Sequence, residues 1–256
     1  MDEGFSFVAQ SSAVNRIRPK PGGEDFWKAG YEPLAPMAAR VTGGEVDVAG
    51  WRPLQQTWMG DRPAAGFQPG WARVRWNPAG LIYDVVLRGA DQRNRARRLN
   101  ELTWELGDVC ELFIQTAPAS PYIEIHVTPE NQRLQLRLPS DGIARVRSGQ
   151  ATLESFMISD PEWVSSRVSC TRGVFQVQIV VPARTLGLDA AELTSGLAIR
   201  SAVCRYDYRG SSSGPILSSP ALLPAPFFHT PLFWFTLRLE RRSDEKRSSR
   251  ADGRNR

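Results

Sequence analysis

The residues best placed to do chemistry in this 256-residue chain are two glutamates and a histidine lying inside strand-like runs. In GDVCELFIQ, residues 107–115, Val109 and Phe113 flank Glu111 on one face, while Cys110, Leu112 and Ile114 share the other. In YIEIHVT, Ile123, Ile125 and Val127 share a face and leave Tyr122, Glu124 and His126 on the opposite one. Two carboxylates on adjacent strands could serve a glycosidase, which needs an acid and a base or nucleophile about 5–9 Å apart. Tyr122 and the charged groups together suit a polar, hydroxyl-rich ligand, and they also match an ordinary solvated sheet face.

Pairing decides between these. Residues 108–138 read as a three-strand meander, in which the leucines of RLQLRL (134, 136 and 138) join the isoleucine face. That register predicts Glu124 opposite Arg137 and His126 opposite Gln135. Across the other hairpin Glu111 falls opposite His126 or Glu124, and opposed charges favour His126. Each glutamate then has a charge partner and stays ionised, which removes the general acid a hydrolase would need.

Of the eight tryptophans, Trp76 lies on an apolar strand face and reads as core, and Trp234 lies on a mixed face beside Thr236 and Arg238. Trp104 and Trp163 stand at loop-like edges next to acidic residues. They are the candidates for stacking on sugar C–H groups or for covering sheet edges.

The elements that position these residues have a period of two from about residue 36 to 239. ARVRW, LIYDVVLRG, CELFIQ, YIEIHVT, RLQLRL, ESFMI, WVSSRVSC, GVFQVQIVV, LAIRSAVCRYDY and LFWFTLRL make about ten strands with turn residues such as NPAG and PENQ between them. One short helix is expected in PARTLGLDAAELTSG, opened by proline. Short strands with one apolar face predict an all-β fold, a two-sheet antiparallel β-sandwich. It spans residues 36–240 between an N-terminal arm (1–35) and a disordered basic tail (241–256).

Composition narrows the function classes. Hydrophobic residues make up 41% and charged residues 23%, as in ordinary globular proteins, and no apolar run reaches membrane-spanning length. MDEGFSFVAQ has no apolar signal core, so the expectation is a chain without a secretory signal, cytoplasmic by default. The tail RRSDEKRSSRADGRNR holds seven basic and three acidic residues, most of the net charge of +5, and could dock a protein partner. The basic loop RGADQRNRARR carries no interleaved aromatics, so nucleic acid is not an expected partner. Cys110, Cys170 and Cys204 are too sparse for a disulfide framework or zinc and read as buried small hydrophobes. The two histidines, His126 and His229, supply a metal site poorly. GSSSG matches G-x-S-x-G at Ser212, but Pro215 and a serine-rich loop follow where a nucleophile elbow needs a helix.

Five segments in order resemble a known family. ELTWELGDVCELFI, PYIEIHVTPENQ, VFQVQIVVPARTLGL, SAVCRYDY and FFHTPLFWFTLRL are similar to the signatures of the family 9 carbohydrate-binding modules, within the DOMON-like β-sandwiches, over residues of about 40–239. The resemblance implies a two-sheet sandwich that binds a saccharide without turning it over, with tryptophans against the ring and charged and amide groups on its hydroxyls. Its signature positions fall here on Asp108, Glu111, Tyr122, Glu124, Arg205 and His229. With the pattern-derived residues, the candidate ligand-binding set is Trp104, Glu111, Tyr122, Glu124, His126, Arg137, Trp163, Arg205 and His229. No catalytic residue and no resident cofactor is expected, though calcium sites on such sandwiches leave no readable spacing. Two alternatives remain: a haem domain of the DOMON type, with Met157 paired to His126 or His229, and a structural or protein-interaction module.

Overall fold

The computed structural model describes residues 39–43, 50–60, 62–89, 91–171, 173–208 and 214–241. The arm, the tail beyond residue 241 and Ser212 lie outside them. Twelve strands are present among the described residues: β1 (Ala39–Gly43), β2 (Arg52–Pro53), β3 (Gly70–Asn77), β4 (Gly80–Arg88), β5 (Val109–Gln115), β6 (Tyr122–Val127), β7 (Arg133–Leu138), β8 (Ser165–Thr171), β9 (Val174–Pro182), β10 (Ala198–Asp207), β11 (Ile216–Ser218) and β12 (Phe235–Arg241). They form an all-β sandwich. One layer runs β7-β6-β5-β10-β12 and the other β3-β4-β9-β8, with β11 added to β10 and β2 to β3. The neighbours within each layer are antiparallel. β1 differs: it pairs in parallel with β12 and, at Gly43, with β3, and so joins the two layers.

The space between the layers holds the alternating apolar residues that period two predicts. Leu81, Tyr83, Val85 and Leu87 of β4 and Phe175, Val177, Ile179 and Val181 of β9 are buried there, with Val74 and Trp76 of β3. Arg73 and Arg75, on the other face of β3, both reach Asp84. Polar groups in the core are satisfied across the layers. Ser201 donates to the Phe113 carbonyl (2.9 Å), so the Tyr83 hydroxyl, 3.0 Å from Ser201 Oγ, is the donor of that pair.

Four local expectations change. Residues 182–196 form no α-helix: Pro182 precedes a 3-10 turn, Ala183–Leu186, which closes on Gly187 in the left-handed region (φ 72°). The short helices lie elsewhere, at α1 (Thr103–Leu106) and α2 (Gly142–Arg147). ESFMI is not a strand but a 3-10 turn over Leu153–Phe156, leading into a single bridge between Met157 and Leu136. Cys110 and Cys204 are buried as expected, whereas Cys170 is exposed on β8, a strand at the end of its layer with only β9 beside it.

The fourth concerns register. Glu111 faces His126, as charge complementarity predicts. On the other hairpin Glu124 faces Leu136 and His126 faces Leu134, one residue away from the expected pairing. The leucines of β7 therefore share a face with Glu111, Glu124 and His126. The expectation assumed that this face meets water. Instead every residue of β5 and β6 is buried. On the opposite face Gln135 donates to the carbonyls of Ile158 and Asp160, and Arg137 is exposed.

Candidate functional site

The outer face of the β7-β6-β5-β10-β12 layer carries the charged residues, in rows set by strand register. Glu111 lies between Cys204 of β10 and His126 of β6, Phe113 between Ala202 and Glu124, and Gln115 between Arg200 and Tyr122. Over these rows pack Trp104 of α1 and the segment that holds Phe227, Phe228, His229 and Trp234. The Trp234 indole N–H donates to the Phe228 carbonyl (2.7 Å), which folds that segment back onto the sheet.

His126 is the hub. Its Nε2 lies 2.7 Å from Glu124 Oε1 and 3.3 Å from Glu111 Oε1, and its Nδ1 lies 2.8 Å from Thr103 Oγ1. Trp104 packs edge-on against the imidazole, with centroids 5.5 Å apart. Glu111, Glu124 and His126 are 2%, 3% and 1% exposed, so their charges must balance within the protein. Burial raises the Glu111 carboxyl to about 8, with His126 opposing the rise and Glu124 adding to it. Burial also raises the Glu124 carboxyl, but His229 and the hydrogen bond to His126 outweigh it, and the net shift is down. For His126 burial favours the neutral ring, yet the pull of Glu111 and of the hydrogen-bonded Glu124 outweighs it, and the net shift is up. At neutral pH the group is therefore a Glu124 carboxylate against an imidazolium, with Glu111 neutral, and it carries no net charge. The expectation that both glutamates stay ionised is corrected: full burial outweighs the single cation they share.

His229 carries this cluster to the surface, linked to it through the buried Tyr122. The Tyr122 hydroxyl lies 3.0 Å from His229 Nδ1, which is itself 3.7 Å from Glu124 Oε2. Glu124 Oε2 is buried with no hydrogen-bond partner. The His229 side chain is 21% exposed, and burial lowers its pKa against the pull of Glu124. Beside it stand further half-buried rings. Phe227 lies 5.6 Å from His229, Tyr206 is stacked with Tyr208, and the Tyr208 hydroxyl donates to the Trp104 carbonyl.

Six of the sequence candidates thus come together: Trp104, Glu111, Tyr122, Glu124, His126 and His229. Three do not. Arg137 projects from the opposite face, against Ile123. Trp163 is buried in the core, and none of the hydrogen bonds, ion pairs or ring contacts among the described residues joins it to the cluster. Arg205, 2% exposed, lies between the layers, where it donates to the carbonyls of Gln68 (3.1 Å) and Arg88 (2.8 Å) and pairs with Asp207 (2.9 Å). Asp108, a further signature position, accepts from the backbone N–H groups of Arg93 and Tyr208 and so anchors loops. Sequence reading missed Thr103, Tyr206, Tyr208 and Phe227. The alternation of Tyr206 and Tyr208 in CRYDY could have found two of these, and nothing in the spacing marks Thr103.

Solved structures resemble this arrangement of strands. A protein of Bacteroides uniformis proposed to bind carbohydrate matches with a TM-score of 0.56 at 18% identity, over 74% of this chain and 86% of that one. A family 9 carbohydrate-binding module of Caldicellulosiruptor kristjanssonii matches with a TM-score of 0.46 at 13% identity in two complexes. With cellotriose the match covers 82% of this chain and 93% of that one, and with glucose 84% and 95%. The likeness is one of fold. No family model matches the chain, and no curated protein does.

The residues of this fold do not suit haem bound through His126, because both ring nitrogens already face partners, Thr103 and Glu124. Among the described residues no group of three or more His, Cys, Asp or Glu side chains is placed to hold a metal ion. No helix among them is long and apolar enough to cross a membrane.

Proposed function

We propose that this chain is a non-catalytic saccharide-binding domain whose site is the aromatic rim over the outer face of the β7-β6-β5-β10-β12 layer. One observation carries the reading. The half-buried rings of Trp104, Tyr206, Tyr208, Phe227 and His229 stand around hydrogen-bonding groups held fixed from below by His126 and Glu124. A sugar presents C–H faces to such rings and hydroxyls to the polar groups between them. Binding without turnover follows from burial. A general acid must touch the glycosidic oxygen, whereas Glu111 and Glu124 are sealed beneath the rim and held on one imidazole.

The test is a tryptophan fluorescence titration of the full chain against a panel of mono- and oligosaccharides, with Trp104→Ala and Trp163→Ala alongside. The expected result is a saturable change that disappears in Trp104→Ala and persists in Trp163→Ala, whose indole belongs to the core. No response to any saccharide by protein with native circular dichroism overturns the reading.

A further inference from the structure

The saccharide reading leaves open what kind of sugar the rim selects, and its charge speaks to that. The buried cluster beneath is neutral, as argued above. The cations around it are not cancelled. Arg147 of α2 lies with its guanidinium 4.2 Å from the centre of the Phe227 ring, which places it beside His229. Its charge reaches both Tyr122, where it opposes the rise that burial causes, and His229, where it adds to the lowering that burial causes. Arg145, two residues earlier in α2, packs over Phe156 at 5.9 Å. On the other side of Tyr122, Arg200 of β10 faces Gln115 of β5, which faces Tyr122. Arg200 and Tyr122 are thus two strands apart, about 10 Å.

Neither Arg145, Arg147 nor Arg200 has a carboxylate within ion-pair distance among the described residues. Four arginines elsewhere are neutralised: Arg73 and Arg75 share Asp84, Arg98 pairs with Glu101, and Arg205 with Asp207. An unpaired guanidinium held by ring stacking keeps its planar fork available for an oxyanion, which it can engage through two parallel hydrogen bonds. The half-buried His229, held by the Tyr122 hydroxyl, lies beside Phe227 under Arg147 and adds a polar group without adding negative charge. Glu124, the one carboxylate nearby, is sealed under them and neutralised by His126.

We propose that the rim selects an acidic saccharide, a uronate-type sugar whose carboxylate is taken between Arg147 and Arg200 while its ring lies against Phe227 and His229. This rests on the saccharide reading and specifies it. Uronic carboxylates and sulfate esters share the required charge. The carboxylate is the better match, because its two coplanar oxygens fit the planar guanidinium fork.

The experiment is calorimetric titration of the full chain with a trigalacturonate, its methyl ester, and a sulfated trisaccharide of equal length, at low and at physiological salt. Arg147→Gln and Arg200→Gln are measured in parallel. The free acid is expected to bind about ten- to hundredfold more tightly than the ester, because a hydrogen bond to a charged group is lost with the charge. Added salt should weaken that binding, and either glutamine variant should remove most of the preference for acid over ester. Equal binding of acid and ester, untouched by Arg147→Gln, overturns the acidic preference and leaves saccharide binding intact. Tighter binding of the sulfated sugar also overturns the assignment to a carboxylate. If neither trigalacturonate nor its ester nor any neutral sugar binds to folded protein, the saccharide reading itself falls.

Discussion

Replacing Glu111 by glutamine tests the charge balance on which the site depends. The folded environment raises the Glu111 carboxyl from 4.5 to about 8, chiefly through burial. In the unfolded chain it titrates near its ordinary value. Between those two pH values the folded protein keeps a proton that the unfolded chain has released, so stability falls as pH rises and levels off once the folded carboxyl also ionises. Each unit costs about 1.4 kcal/mol, and the full window amounts to about 5 kcal/mol. Solvent screening does not reduce this, since the side chain is buried. Glutamine keeps the shape and an acceptor for His126 Nε2, 3.3 Å away, but cannot ionise. The stability of Glu111→Gln minus that of the natural protein should therefore climb by about 1.4 kcal/mol per pH unit from about pH 5 to about pH 8 and be level outside that window. His126 and Glu124 titrate together with Glu111, so the difference reads the coupled cluster, in which the Glu111 carboxyl is the group raised to about 8. Urea unfolding at a series of pH values, with m-values held equal, gives the difference directly. A level difference across the window would refute protonation by burial. A difference that falls with pH would mean that the site stabilises the Glu111 carboxylate.

Three further outcomes follow from the same geometry. His126→Ala leaves the buried Glu124 carboxylate without its imidazolium and should cost about 3–5 kcal/mol at neutral pH by denaturant unfolding, less in acid where the carboxyl can take a proton. Gly107→Ala places a methyl group 2.3 Å from the Arg93 carbonyl at a φ of 144°. It should cost about 3 kcal/mol and loosen α1, so that Trp104 fluorescence shifts along with the melt. Thiol labelling of the native protein should modify Cys170 quickly and leave two of the three cysteines unreacted until unfolding. Cys110 is fully buried with its thiol raised to about 12, and Cys204 is buried and shifted the same way.

Most strands could be read from the sequence because their two faces meet different surroundings. In β9, for example, Phe175, Val177, Ile179 and Val181 are buried between the layers while Gln176 is exposed, and alternation records that difference. Where both faces are buried the same signal fails. On β6 the face with Ile123 and Ile125 packs between the layers, and the face with Glu124 and His126 packs under Trp104 and His229, so leucines opposite are acceptable on either. That is why the register of β7 came out one residue away while the pairing of Glu111 with His126, decided by charge, held. The helix expected at 182–196 had a proline start but no long amphipathic stripe behind it, and a single 3-10 turn satisfies the same residues. Arg205 illustrates a limit of another kind. Its place in a strand was plain, but whether an arginine between two layers serves a ligand or the carbonyls of Gln68 and Arg88 is a matter of contacts far apart in the chain.

The cluster beneath the rim is costly as a structural device. Burying Glu111 neutral and Glu124 charged lowers stability relative to leucines of similar volume, which already occupy the next strand at Leu134, Leu136 and Leu138. What the polar groups contribute is position. His126 is held at both nitrogens, Glu124 is fixed by His126, and Glu124 in turn faces the ring of His229, whose other constraint is the Tyr122 hydroxyl. Each link removes rotamer freedom from the next, so His229, the group that reaches the rim, arrives already ordered. A sugar hydroxyl or carboxylate meeting it then loses less binding energy to side-chain ordering, a saving of about 0.5–1.5 kcal/mol for each immobilised side chain. Glu111 belongs to this chain at one remove. As a neutral acid it fills the third corner around His126 without pulling the imidazolium proton away from Glu124. A charged Glu111 would compete for that proton and slacken the link to His229, so ligand affinity should weaken as pH rises past about 8, where Glu111 ionises.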